Sequence, residues 1–292
     1  DYIRESPKLR LITTAWPTTA WLVVFLLIPF SIMCVFSFWR TTPEFRIETT
    51  FSLHNYVTLF TSREDLEILG RTLGLVSIAV SIFVVLGYPI AYCLSVKIPE
   101  KYKTALTISV LFPYLTGYLI RAFAWRVILG GQGIINSFLV HLGLTKEPIL
   151  WFGYSPFAVL LGMIYVYIPL MVFPCYISLE HLDRSLLDAS KDLGAGPIRT
   201  FLNITLPLTA PGIFAGVILT FIPLSSSFVE SRVLGGTGWE RFLYGNLISN
   251  QVLFGARWPM AAAMAVVLML IIILICLTFL KFVGIDRIYG VR

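Results

Sequence analysis

Hydrophobic residues along this chain gather in long runs, with most of the charged residues in the segments between them. Six runs are long enough to cross a bilayer as helices, which takes about 20 residues each. They are Trp16 to Trp39, Leu69 to Val96, Thr104 to Leu129, Phe157 to Leu179, Leu208 to Leu234 and Trp258 to Val283. The pattern predicts an all-α polytopic membrane protein, a single transmembrane domain over 1–292. Composition agrees. The chain is 57% hydrophobic and 13% charged, whereas soluble domains carry about a quarter charged residues. That leaves too little polar surface to cover a soluble globule of this size. The first run is long and others follow it, so it reads as a span rather than a cleavable signal. The chain starts at Asp1 without Met, and the native N-terminus is expected to lie upstream.

The net charge of +6 would suggest nucleic acid in a soluble protein. Here the basic residues flank the apolar runs and read as topology signals. Arg4, Lys8 and Arg10 precede the first run, and Lys97, Lys101 and Lys103 separate the second from the third. Arg184, Lys191 and Arg199 lie between the fourth and fifth, and Lys281, Arg287 and Arg292 form the tail. These four segments hold 12 of the 22 basic residues and alternate with poorer ones. The positive-inside rule therefore predicts that both termini are cytoplasmic, which six spans require. The expected location is a bacterial inner membrane. Cys34, Cys93, Cys175 and Cys276 fall singly within apolar runs, with no spacing that suits a metal, and are expected to be free thiols.

Proline interrupts or edges every run: Pro17, Pro29, Pro89, Pro113, Pro169, Pro174, Pro211, Pro223 and Pro259. Each removes a backbone hydrogen bond, and in lipid the freed carbonyl needs another partner. Their accumulation suits a helix bundle around a pathway, and ordinary packing kinks are the plainer reading of any one of them.

The most informative polar stretch lies between the fourth and fifth runs, over 180–207. Asp183 is placed to cap a helix. Leu186, Leu187, Ser190 and Leu193 recur at helical spacing, Gly194 and Gly196 suit a stop, and Pro197 prevents continuation. The result is a short amphipathic helix, followed by a second helical piece to Ile204. Its apolar stripe suits either the membrane surface or a partner's groove, and periodicity does not choose.

The spacing is more specific. Asp188-Ala189-Ser190, three residues, Gly194, nine residues, then Ile204-Thr205-Leu206-Pro207 resembles the EAA loop of binding-protein-dependent ABC importer permeases. Asp188 stands for the usual Glu and Ser190 for the second Ala. The likeness extends over nearly the whole chain to the PotB/PotH-type permeases of the spermidine/putrescine group. It includes Gly87-Tyr88-Pro89, Leu119-Ile120-Arg121, Leu182-Asp183, Pro207 to Ile213, Gly235-Gly236 and Trp258-Pro259. The resemblance implies the MetI-like fold of type I importers. It also implies two permease subunits (here a heterodimer), two separate ATPases and an extracytoplasmic solute-binding protein. Asp188, Ala189, Ser190, Leu193, Gly194, Ile204, Leu206 and Pro207 would then couple to the ATPase. No GxxxxGK[ST] phosphate loop occurs in the chain, so ATP and Mg are expected on the ATPase partner and no cofactor on this chain. Alternating access is the implied mechanism.

Ionisable groups inside spans are costly and often functional. Glu230 follows Pro223 and the hydroxyl run Ser225, Ser226, Ser227. With Arg121, Arg232, Tyr114, Trp125 and Tyr165 it forms the candidate solute pathway. Arg121 and Arg126 also suit snorkelling to the interface. An ion pair to a nearby Arg is the plain reading of Glu230. The aromatics, Tyr118 and Tyr167 among them, suit an interfacial belt equally well. The resemblance implies a polyamine as solute, but relatives in the polyamine group tend to carry an acid where this chain has Arg232, which points instead to a zwitterion or anion such as an opine- or amino-acid-like compound. His54, His141 and His181 are isolated, and no catalytic constellation is present, which argues against an enzyme. An ATP-independent transporter or channel is the alternative. It would need no docking helix. The loops from about Arg40 to Ile68 and from Gly130 to Tyr154 are the expected surface for the binding protein.

Overall fold

A computed structural model describes residues 7–150, 153–235 and 242–283. Arg4, Gly236, Arg241, Arg287 and Arg292 lie outside them. Nearly all of the described chain is helical, and six stretches are long and apolar enough to cross a membrane. These are Ala15–Phe36, Arg63–Lys97, Tyr118–His141, Pro156–Glu180, Pro197–Ser225 and Trp258–Lys281. Contacts divide the chain into two units. One comprises Asp1–Arg63 with Ile248–Ile271, the other Glu64–Leu247 with Ile272–Arg292.

In the first unit, α1 (Pro7–Leu22) and α2 (Ile28–Phe36) join through a π-helical turn at Val23–Leu27. The following loop forms a two-residue antiparallel ribbon, β1 (Arg40–Thr41) on β2 (Ile47–Glu48), and then α3 (His54–Thr61). Buried Asn55 organises this loop by donating from Nδ2 to the carbonyls of Ser37 (2.9 Å) and Trp39 (2.8 Å), just past the end of α2. Phe38 stacks on Phe51 beside it. A cleft of about 620 Å³ lies against the ribbon, lined by Arg40, Glu48, His54, Asn55 and Arg257 among others.

The second unit contains α4 (Arg63–Tyr92, with Arg63 itself in the first), a π turn at Cys93–Lys97, α5 (Glu100–Leu115), α6 (Tyr118–Leu129) and α7 (Ile134–His141). Then come α8 (Pro156–Glu180), α9 (Arg184–Asp192), α10 (Pro197–Thr200), a π turn at Phe201–Thr205, α11 (Leu206–Ser225) and α12 (Val229–Leu234). Helices α13 (Tyr244–Leu253) and α14 (Trp258–Val283) follow, their portion within Ile248–Ile271 belonging to the first unit. The core of this unit is the long contact of α8 with α11. Gly212 and Gly216, one turn apart on α11, bring the two backbones together. A Cβ on Gly212 would stand 2.6 Å from the Pro174 carbonyl, and one on Gly216 2.5 Å from Met171 Sδ. Lipid gives packed helices no hydrophobic advantage over separated ones, so close van der Waals contact through small residues carries the association.

Two predicted spans differ from the observed helices. The third, expected over Thr104 to Leu129 with a proline interruption at Pro113, breaks at Thr116 and Gly117, whose backbones are extended (ψ 151° and 129°). The stretch that length and composition favour shifts to Tyr118–His141. The break holds because the Pro113 carbonyl is taken by side chains, Thr116 Oγ1 at 2.8 Å and Arg121 Nη1 at 2.7 Å. The fifth, expected to run to Leu234, ends at Ser225 and resumes as α12 after Phe228. It starts earlier than expected, since α10 and the π turn run directly into α11. All three π turns contain the residue four places before a proline (Phe25 before Pro29, Ser95 before Pro99, Asn203 before Pro207). The i−4 ladder loses a donor there, and the helix widens or stops.

The glycine contacts make a graded prediction. Gly212→Ala pushes a methyl into a backbone carbonyl that cannot move, while Gly216→Ala meets a flexible methionine. Gly212→Ala should cost about 1–3 kcal/mol, the usual cost of overpacking, and Gly216→Ala less. The apparent melting temperatures of the two purified variants read the order.

Candidate functional site

The predicted amphipathic helix is α9. Asp183 caps it, its carboxylate accepting from the Ser185 amide at 2.9 Å. That bond holds the Asp183 carboxyl below the usual carboxylate range. At the other end Leu193 is the C-cap and Gly194 takes φ +77°, a left-handed conformation that glycine adopts without strain. The Gly194 amide donates to Lys191 O (2.8 Å) and the Ala195 amide to Ser190 O (3.0 Å), the paired bonds of a Schellman stop. Gly196 then starts α10 with Pro197 in its first turn.

The outward side of this loop carries apolar residues. Leu193 is 89% exposed, and Leu186, Ile198 and Leu202 are exposed with it. Asp188 and Ala189 are also on the surface, and Asp188 pairs with Lys191 at 2.8 Å. The inward side is fastened. Ser190 is buried and shares a hydrogen bond with Thr200 (2.9 Å), which locks α9 onto α10. Ile204 and Leu206 are half-buried, and Pro207 is exposed at the start of α11. Phe201, in the π turn, meets Tyr88 and Tyr92 of α4 edge-on, each at 5.9 Å. Tyr88 in turn bonds Thr209 of α11 at 2.7 Å. The small surface helix is thus tied into two long helices. A cleft of about 580 Å³, lined by Pro174, His181, Asp183, Leu186 and Pro211 among others, lies against it.

A second grouping forms where α6 and α11 are interrupted. Arg121 is 7% exposed, with its guanidinium over the Tyr114 ring at 5.8 Å. Glu230 is 2% exposed and accepts a short hydrogen bond from Ser227. Among the described residues no Lys or Arg nitrogen comes within 4 Å of the Glu230 carboxylate. Tyr167 of α8 is in interaction range of Ser227, Glu230, Arg121 and Tyr114. Four of the predicted pathway residues, from three separate segments, are therefore brought together. The others are placed apart. Trp125 and Tyr165 pair edge to face at 5.5 Å. Ser225 and Ser226 turn their hydroxyls back onto the Phe221 and Pro223 carbonyls. Arg232 is half-buried and engaged with a neighbour. Arg126 lies over the Tyr154 ring.

Two contributors escaped the sequence reading. Buried Asn246 of α13 accepts from Ser231 and donates to the Phe228 carbonyl at 3.1 Å, holding α12 in place. Lys103, read only as a topology charge, is buried at the foot of α5 and paired with Glu180. Neither residue belongs to a local pattern. The only signal available was a lysine beside an apolar run, which marks topology far more often than an ion pair.

A chain with six membrane-length apolar stretches, two interrupted helices around buried polar groups and a rigid apolar-faced helix on its surface has the form of a multi-pass transport subunit. The chain belongs to the binding-protein-dependent transport system inner membrane component family, whose model matches residues 9–284. It is a permease of the inner membrane. It is 36% identical over 259 residues to the spermidine/putrescine transport system permease protein PotB of Escherichia coli (strain K12), covering 89% of this chain and 92% of that one. With the protein of the same name from Haemophilus influenzae it shares 33% identity over 262 residues, 90% of each chain. Solved structures match in fold. A bacterial ABC transporter involved in the import of the acidic polysaccharide alginate gives a TM-score of 0.74 at 17% identity, over 95% of this chain and 98% of that one. The MetNI methionine ABC transporter in an inward-facing conformation gives 0.56 at 18% identity, over 75% and 94%.

The cap makes a pH prediction. Because folding lowers the Asp183 pKa, its stabilisation is present above the ordinary carboxylate range and lost as pH falls through the folded value. Acidification should therefore loosen the first turn of α9. Asp183→Asn, a neutral cap, should remove that dependence. The Ser185 amide, followed by hydrogen exchange in both proteins against a common intrinsic-rate reference, reads the difference.

Proposed function

We propose that this chain is one permease subunit of an ATP-driven importer, paired with a second and different permease. It receives its solute from an extracytoplasmic binding protein and is driven by separate ATPases that hold ATP and Mg. The observation that carries this reading is α9, a capped and glycine-stopped helix that offers Leu193 and Ile198 outward while Ser190 and Phe201 bind it to the long helices. In this reading the loop faces the cytoplasm, as do both termini, and Asp188, Ala189, Leu193 and Gly194 meet a groove of the ATPase. A rigid helix seated in a groove transmits displacement, whereas a flexible connector would absorb it. The named relatives are importer permeases of high coverage, which supports the same assembly.

The solute is a polyamine. The relatives transport spermidine and putrescine by name, and the buried Glu230 suits them. Among the described residues no lysine or arginine pairs with it; a carboxylate so placed inside a membrane protein is costly, and a passing ammonium relieves that cost. The Tyr167 ring, in interaction range of Glu230, adds a face suited to a cation. The presence of Arg232 had pointed to a zwitterion or anion, but Arg232 is already engaged within the protein and is no free counter-charge.

The coupling test is Gly194→Asp in the reconstituted complex of both permeases, the ATPase and the binding protein. Binding-protein-stimulated ATP hydrolysis should collapse, because a β-carbon at φ +77° and a new charge both disrupt the stop. Unchanged stimulation would mean that the loop is an ordinary connector. The solute test is Glu230→Gln. It should lower spermidine uptake by proteoliposomes about tenfold, the loss of roughly one ion-pair contact, with the complex still assembled. Wild-type uptake by this variant would remove Glu230 from the pathway.

A further inference from the structure

The π turn after α4 and the first turn of α5 grip the root of α9 from both sides. Lys103 Nζ lies 3.1 Å from Glu180 Oε1, the last residue of α8, and 2.8 Å from Glu100 Oε1. Its side chain is only 5% exposed. On the other side of the three-residue link to α9, Arg184 Nη2 donates to the Ser95 carbonyl at 3.3 Å. That carbonyl is available for a chemical reason. In a continuing helix it would accept from residue 99, which is Pro99 and has no N–H. The chain turns extended at Ile98, and the arginine takes the vacated acceptor. The two contacts join positions 77 and 89 residues apart in sequence. They flank His181, Leu182 and Asp183, the hinge through which any push on α9 must reach α8.

We propose that Lys103 is a positioning residue for energy coupling, clamping Glu180 so that displacement of α9 is delivered to α4 and α5 as well as to α8. The inference rests on the reading of α9 as the ATPase-docking helix. Without the clamp, motion of α9 is taken up in the 181–183 link. With it, the cytoplasmic ends of α4, α5 and α8 move as one body. The lysine end of this pair is buried and the Glu180 end is partly exposed. Desolvation of the lysine cancels much of the attraction, so the pair is suited to positioning more than to stability.

The test uses the whole reconstituted importer in proteoliposomes and reads the ratio of spermidine taken up to ATP hydrolysed, with co-purification as the measure of assembly. Lys103→Glu and Glu180→Lys should each leave hydrolysis running and lower the ratio about tenfold, less than the full penalty of an unpaired buried charge. The combined reversal should recover most of it, and Lys103→Arg should keep it. A purely structural lysine would change the amount of assembled complex and leave the ratio alone. The proposal is overturned if the single reversals keep the wild-type ratio, or if the double reversal assembles and is no better than either. Should the reversals fail to assemble, Lys103→Gln decides, with a lowered ratio supporting the clamp and a wild-type ratio overturning it. Gly194→Asp, run in parallel, separates the two levels. Loss of stimulation there with Lys103 variants intact removes only the clamp, and unchanged stimulation in Gly194→Asp removes the docking reading beneath it.

Discussion

Inside a bilayer no water is available to a backbone carbonyl, and each one that a proline frees must find a donor within the protein. Much of the architecture follows from how this chain meets that demand. A helix break makes the same demand: where α5 ends, the Pro113 carbonyl loses its helical donor and is taken by Thr116 and Arg121, and the break in the third apolar run becomes stable. At Ser95 the partner is Arg184, and a distant loop is drawn to the root of α9. Where no side chain serves, the ladder widens into a π turn, as before Pro29 and Pro207. Each interruption costs helix regularity, and each leaves polar groups at a depth where a transport protein can use them.

The two regions of interest are consequences of those interruptions. The break in α5–α6 turns Arg121 inward, and the break after α11 turns Glu230 toward the same place, with Tyr167 of unbroken α8 in interaction range of both. The π turn before Pro207 presents Phe201 to Tyr88 and Tyr92, which fastens the surface helix to α4. A straight helix in either position would have carried these side chains elsewhere. Close packing through Gly212 and Gly216 supplies the rigid axis on which both regions depend.

The surface helix shows how little of its behaviour comes from hydrophobic burial. Leu186 and Leu193 stay exposed, Leu187 is half-buried, and only Ser190 is buried, against Thr200. Local hydrogen bonds hold its shape, the cap at Asp183 and the stop at Gly194. A helix fixed at both ends and apolar on its free face is preorganised for a partner, so less ordering is lost on docking.

Much of this was legible from the residues alone. Six apolar runs, their alternating basic flanks and the spacing from Asp188 through Gly194 to Pro207 determine a multi-pass permease with a capped, glycine-stopped surface helix. Capping and stopping are local chemistry, and so Asp183 and Gly194 could be placed without a fold. The prolines marked the third and fifth runs as interrupted, but the bounds of those spans were misjudged because hydropathy registers side chains and is blind to a carbonyl that has lost its donor. Which of the polar residues meet was decided only in three dimensions. Tyr114, Arg121, Ser227 and Glu230 converge while Ser225 and Ser226 fold back on their own helix, and Lys103 finds Glu180 from 77 residues away. Contacts of that kind depend on where helices break and how they pack, and no periodicity along a chain records either.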